Sequence, residues 1–244
     1  MLKSNLLEGG STNIRLSKSS HDILVTDCYR FGLLRKDEAN ISFIISKLIK
    51  ELTIYRENLH DEFLKNNKSD IHVVKSIENN IFNIYLKTFN YICDDSHINV
   101  GYRINKEFKQ SIENLFYETL EKFDMDFTSY VRSIIYEYCS RSELQRELFL
   151  NYELVCQIRK CINKSCVTTI INDDVQNDMV LVSIEAVDNG YNYLLGISVD
   201  KKECYFLPLC KTKKIMMRKQ IVEVSEDELD KITQHFKDFI EENK

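Results

Sequence analysis

The sequence predicts an α+β chain, mainly helical through its first half, with a small β-rich domain and a closing helix behind it. Three observations carry this. Apolar residues recur at helical spacing from about 20 to 150. Short β-branched and aromatic runs, punctuated by turn residues, fill positions 166 to 224. After Ser225 the spacing turns helical again.

Bulk properties narrow the class. The 244 residues fit one or two domains, and 43% hydrophobic with 29% charged residues is a globular composition. A net charge of -5 excludes a protein that coats nucleic acid by overall basicity, so any such contact must come from a local basic patch. One proline and six glycines argue against a flexible interdomain linker and predict domains joined through helix.

The eight cysteines include no C-x-x-C pair, and Cys156, Cys161 and Cys166 recur at five-residue spacing. The five histidines, 21, 60, 72, 97 and 235, are scattered. Reduced, mostly buried thiols are expected, with no metal and no cofactor. Met1–Gly10 lacks the apolar core of a secretory leader, and no stretch reaches the length of a membrane span. A cytoplasmic location without membrane contact is the expectation.

The elements follow in order. Asn13-Ile14-Arg15-Leu16 alternates polar and apolar and reads as a short strand. Ser17 or Ser19 can cap the next helix, whose apolar face is Ile23, Leu24, Cys28 and Phe31, with Gly32 as its stop. A charged loop, Arg35 to Glu38, leads to a longer helix from about Asn40 to Leu64. A third helix is predicted from Ser69 to the Asp94-Asp95-Ser96 break. The order then repeats. Asn99 to Lys106 matches the first strand and cap, Arg103-Ile104-Asn105-Lys106 standing where Arg15-Leu16-Ser17-Lys18 stood. A helix through Phe108, Ile112 and Leu120 follows, then one from about Thr128 predicted to run to Leu150.

A helical turn or two from Leu154 to Ile162 leads to strands at Cys166–Ile171, Met179–Val187, Tyr191–Val199 and Glu203–Leu209, with a fifth at Met216 to Val224. Asp188-Asn189-Gly190 is a strong hairpin signal. Ser225-Glu226-Asp227-Glu228 is a capping box opening the last amphipathic helix. The predicted division is 1–65, a connecting helix at 66–97, a degenerate second copy at 98–153, and a β domain with its helix at 154–244.

The unit Asn13–Leu64 resembles a ribbon-helix-helix domain. The resemblance implies two strands paired into a ribbon that enters the DNA major groove. Asn13 and Arg15 then face the bases, and Asn40 and Ser42 sit at a phosphate-binding helix start. In the second copy Arg103 is the outward reader, Thr128 and Ser129 stand at the helix start, and Gly101 replaces Asn13. Two copies in one chain can pair as a pseudo-dimer. The competing reading is an all-helical interaction module with two incidental strands.

The stretch Leu154–Val224 resembles a WYL domain, an Sm-like small barrel. The name-giving tripeptide reads Asn192-Tyr193-Leu194, with Asn for Trp, and Lys211 stands where the family has arginine. The resemblance implies recognition of nucleic acid or an anionic ligand. From the residues alone, Lys211, Lys213, Lys214, Arg218 and Lys219 form a cationic cluster, and Tyr191, Tyr193, Tyr205 and Phe206 fall on neighbouring strands. Together these suit single strands, by stacking and phosphate pairing. Core aromatics and a lysine-blunted edge strand are the plainer reading.

No nucleophile, phosphate-loop or metal motif points to an enzyme. The expected function is a nucleic-acid-binding transcriptional regulator with a ligand- or nucleic-acid-sensing domain. The alternatives are an accessory protein of a type VI CRISPR system that binds single-stranded RNA, or a structural partner without nucleic acid. The expected partners are duplex DNA or single-stranded RNA, and a second copy in a homodimer.

Overall fold

The computed structural model describes residues 6–67, 97–120, 126–172, 176–200 and 202–242. The chain divides into two compact units, Met1–Arg141 and Ser142–Lys244. The helix predicted from Ser69 to Asp94 lies outside the described residues.

In the first unit, β1 (Thr12–Ser17) leads directly into α1 (Lys18–Arg30). Ser17 is the cap: its hydroxyl accepts the Ser20 N–H at 3.2 Å. Beyond Phe31, Gly32 turns the chain at φ +65°, and Leu33 N–H closes back on Cys28 O at 2.8 Å. The charged stretch after it is not an open loop. Leu34–Arg35 (β2) and Glu38–Ala39 (β3) form a two-residue hairpin, with Lys36 and Asp37 at φ 52° and 64°. Such tips ordinarily carry Asn-Gly, so the composition hid the turn.

α2 (Ile41–Asn67) buries Ile44, Ile45, Leu48, Ile49 and Leu52. After β4 (His97–Tyr102) come a 3-10 turn, Lys106–Phe108, then α3 (Lys109–Leu115) and a wide turn, Phe116–Leu120. α4 (Phe127–Cys139) closes the unit. The helix predicted to run from Thr128 to Leu150 is broken at Ser140-Arg141-Ser142. Ser142 starts α5 (Glu143–Leu150) with a capping box to Gln145, a signal that helical spacing alone masked.

Two charged networks tie the helices of this unit together. Asp27 on α1 is fully buried and accepts the Tyr138 hydroxyl of α4 at 2.8 Å. Arg56 on α2 meets Glu137 on α4 at 2.7 Å.

The second unit is mixed α and β. α5 and α6 (Tyr152–Asn163) precede five antiparallel strands: β5 (Cys166–Ile171), β6 (Gln176–Ala186), β7 (Asn192–Ser198), β8 (Cys204–Pro208) and β9 (Lys214–Ile221). Their order in the sheet is β8-β7-β6-β5-β9. The Asp188-Asn189-Gly190 turn joins β6 to β7, with Gly190 at φ +86°. The register slips between Leu181 and Ser183, bulging and bending the long β6.

Both faces of the sheet are covered. Val155, Ile158 and Cys161 of α6 pack with Ile170, Met179, Leu181 and Leu194. On the other face Ile232 and Phe236 of α7 (Glu226–Glu242) pack with Val187, Leu195 and Ile197. The Ser225 box opens α7 as expected: Glu228 N–H bonds Ser225 Oγ at 3.3 Å, and Ser225 N–H returns to the Glu228 carboxylate at 3.0 Å.

Candidate nucleic-acid interface

β1 and β4 are antiparallel partners within one chain. Asn13 faces Gly101, Ile14 faces Val100, Arg15 faces Asn99 and Leu16 faces Ile98. Alternation then sorts the side chains. Ile14, Leu16, Val100 and Tyr102 are buried, whereas Asn13, Arg15, Asn99 and Gly101 are exposed, as is Arg103 just past the strand.

This register agrees with the sequence repeat. Asn13 and Gly101 occupy equivalent places in the two copies and pair with each other, so the local two-fold passes between them. Arg15 and Arg103 are equivalent and fall on opposite sides of that centre. Asn99 lies four residues before Arg103, so the two arginines are about 13 Å apart along the ribbon at about 3.3 Å per residue. The ribbon Thr12–Ser17 and His97–Tyr102 holds no carboxylate.

Two long helices start beside the ribbon. Ser42 of α2 donates its hydroxyl to Gly101 O at 3.3 Å, and Ser46 one turn on meets the Tyr102 hydroxyl at 3.1 Å. Burial pushes the Tyr102 phenol up to about 12, against the lowering effect of Ser46. Phe127 at the start of α4 packs on Tyr102, ring centroids 5.9 Å apart.

The two capping side chains differ in charge. Asn40 caps α2 with a neutral amide, its Oδ1 accepting Phe43 N–H at 3.2 Å. Asp126 caps α4 with a carboxylate, which accepts Ser129 N–H at 2.8 Å and the Thr128 hydroxyl. Burial opposes that charge, but the bonds from Thr128 and Ser129 and the nearby Arg132 together hold Asp126 below its ordinary range. Thr128 and Ser129 are therefore turned toward their own chain's anion. Sequence reasoning passed over Asp126 and Asn99; an Asp two residues before Thr128, and the outward parity of Asn99 with Arg103, were the available signals.

In the second unit the expected residues are spread out. Tyr193 and Phe206 share one face and pack under α7. Tyr193 lies 6.0 and 5.7 Å from the Phe236 and Phe239 rings, and Phe206 lies 5.2 and 5.4 Å from them. Tyr205 points to the opposite core and donates its hydroxyl to Glu203 at 3.2 Å. Tyr191 lies in the β6–β7 turn, its N–H bonded to Asn189 Oδ1 at 3.1 Å. These aromatics therefore do not form one open stacking platform.

Lys211, Lys213 and Lys214 are exposed on the turn into β9, an edge strand, and 210–222 contains no carboxylate. Arg218 on β9 is engaged with Thr169 Oγ1 at 2.8 Å. Asn192, standing where the WYL resemblance has Trp, is a buried anchor to Glu147 of α5, with N–H and Nδ2 each at 2.7 Å from its Oε2.

Among the described residues no three His, Cys, Asp or Glu side chains are grouped to hold a metal. None of the helices there is long and apolar enough to cross a membrane.

No family model matches the chain, and no curated protein matches it. The solved structures similar to it include two proteins. One is PafBC, proteasome accessory factor B/C of Arthrobacter aurescens, at TM-score 0.28 and 12% identity, covering 51% of this chain and 22% of that one. The other is the crystal structure of a CRISPR Cas-related protein, at TM-score 0.60 and 14% identity, covering 91% of this chain and 66% of that one. The chain thus shares its fold with a CRISPR Cas-related protein and spans just under two thirds of that protein's length.

Proposed function

We propose that this chain is a non-catalytic regulator that binds nucleic acid through the intrachain β1–β4 ribbon. One observation carries the reading: the strand register brings Arg15, Asn99 and Asn13 onto a single exposed face, with Arg103 beyond its end. Arginine and asparagine present the bidentate donors that base edges accept. Tandem copies pairing within one chain supply what the ribbon-helix-helix resemblance asks of two subunits. The WYL-like unit is read as the sensing part, with Lys211, Lys213 and Lys214 meeting an anionic ligand or a nucleic-acid backbone, and the whole acts as a cytoplasmic homodimer.

The reading has two versions. In one the ribbon binds operator DNA as a transcriptional regulator. In the other the chain is an accessory protein of a CRISPR system and binds single-stranded RNA; the fold shared with a CRISPR Cas-related protein favours it.

A salt titration of binding to random-sequence duplex DNA and single-stranded RNA tests both versions. The proteins are wild type, Arg15→Ala/Arg103→Ala, and Lys211→Ala/Lys213→Ala/Lys214→Ala. Loss of salt-sensitive binding in the arginine variant supports the ribbon. Loss only in the lysine variant moves the contact to the second unit, and no binding at low salt leaves a structural partner.

A further inference from the structure

We propose that the outer edge of β9 is a docking site for an acidic protein segment, which adds to the sheet as a further strand. The proposal stands on the second unit alone, so it holds or fails independently of the ribbon reading.

The sheet has two edges, β8 and β9, and they are finished differently. β8 has five residues, is half-buried throughout and ends in Pro208, which cannot donate to another strand. β9 has eight residues and no proline, and every position from Met217 to Ile221 is exposed. Its inner side pairs with β5, Ile215 against Ile170, Met217 against Thr168 and Ile221 against Cys166. Ile215, Ile170 and Cys166 belong to the core under α6. Met217 follows Ile215 at the strand period, and Ile221 stands opposite Cys166, so both fall on that same face. Yet Met217 is 52% and Ile221 68% exposed. α6 covers the start of this aliphatic strip and leaves its end open.

An unpaired edge with open aliphatic side chains is an aggregation hazard, and here charge selects the partner. Exposed Arg218 and Lys219 interrupt the strip where the register with β5 slips. Exposed Lys164 stands at the end of α6, next to Ser165, whose carbonyl accepts Val222 N–H at 2.9 Å. Of the nearby carboxylates, Asp178 already accepts the Thr169 hydroxyl and lies 4.0 Å from Arg218, and Glu223 follows Val222. The segments 154–172 and 204–222 contain none. At the opposite end, where Lys214 pairs with Ile171, the sequence runs on to Asp173 and Asp174, so the acid-seeking part of the edge is Met217–Ile221. A second β9 would set these cations against the same cations, which destabilises a strand pair. β9 also carries no aromatic ring on which a base could stack, which favours a peptide over a nucleic acid. A strand with Asp or Glu between aliphatic residues satisfies the side chains, the charges and the open main-chain groups together.

The full chain is titrated with a pool of eight-residue peptides, the length of β9, that alternate Val or Ile with Asp or Glu. Matched pools carry Ser or Thr, or Lys or Arg, in place of the acids. The acidic pool should bind about fivefold tighter than the Ser/Thr pool, less so at higher salt, and the cationic pool weakest. Met217→Ser/Ile221→Ser and Lys164→Glu/Lys219→Glu should each weaken acidic binding about five- to tenfold; equal urea midpoints check the fold. An acidic peptide N-methylated at alternate residues should bind in one parity and fail in the other, because only one set of its N–H groups meets the edge. No acidic binding, or equal binding of the two parities, overturns the proposal. Single-stranded RNA bound by the wild type and lost in Lys164→Glu/Lys219→Glu, with no peptide bound, overturns it in favour of a nucleic-acid contact.

Discussion

Asn192 donates its main-chain N–H and its side-chain amide to one and the same oxygen of Glu147, each at 2.7 Å. The other Glu147 oxygen accepts Cys210 N–H at 3.0 Å, and the second amide hydrogen of Asn192 goes to Leu144 O at 3.0 Å. Glu147 is fully buried and Asn192 is 2% exposed. One carboxylate thus joins α5 to the start of β7 and to the turn between β8 and β9. Glu147→Ala strands three buried donors and should cost about 3 kcal/mol in urea unfolding, with Asn192→Ala costing less. A double variant whose loss equals the sum of the two singles would show that the groups do not act as a unit.

Three groups held above their ordinary range make the fold sensitive to alkali. Burial, with Asp27 adding, pushes the Cys28 thiol from its ordinary 9.0 to about 12. Burial and Glu147 push Cys210 to about 11. Tyr102 rises from 10.0 to about 12. Each folded value lies above the unfolded one, so the native state favours the protonated form. Stability is intact below the unfolded values and is lost as pH climbs from about 9 toward about 12. Urea midpoints should fall steeply over that window, and Cys28→Ala/Cys210→Ala should flatten the slope. A slope unchanged by the double variant would assign the alkaline loss to other groups.

Phe236 stands at the centre of the α7 contact, within 6.2 Å of the rings of Tyr193, Phe206 and Phe239. Phe236→Ala should destabilise the second unit by about 3 kcal/mol. It should also increase hydrogen exchange along β7 and β8, with β5 and β9 less affected. Uniform exchange changes across all five strands would instead mean that α7 is needed for the whole sheet.

The β2–β3 hairpin tip holds two non-glycine residues in the left-handed region, Lys36 and Asp37. Lys36→Asn/Asp37→Gly supplies the pair that this turn prefers and should stabilise the first unit by about 1 kcal/mol. Thermal unfolding reads the gain. A loss of stability would show that the tip side chains make contacts worth more than the backbone strain.

The accuracy of the sequence reading follows the range of the interaction behind each element. Ser17, Gly32, the Asp188-Asn189-Gly190 turn and the Ser225–Glu228 box all act within four residues, and each is where the sequence puts it. Cys166–Ile171 matches its predicted bounds because β-branched residues bounded by turns leave little choice. The break at Ser142 was missed because the apolar spacing runs on through it, and only the pairing of Ser142 with Gln145 marks it. The hairpin at Leu34–Ala39 was missed because Lys-Asp is an unusual tip.

By itself, then, the sequence determined the α+β class, the inward parity of Ile14 and Leu16, and the cationic run of Lys211 to Lys219. These depend on alternation, capping and composition, which neighbouring residues carry. Tertiary structure alone decided that Arg15 lies across from Asn99, that α7 covers Tyr193 and Phe206, and that Glu147 is a buried hub rather than a solvated helix residue. The reason is physical. A glutamate on a helix or a tyrosine on a strand has the same local signature whether water or protein surrounds it. Only the long-range packing, 45 residues across for Asn192 and Glu147, sets which of the two it meets.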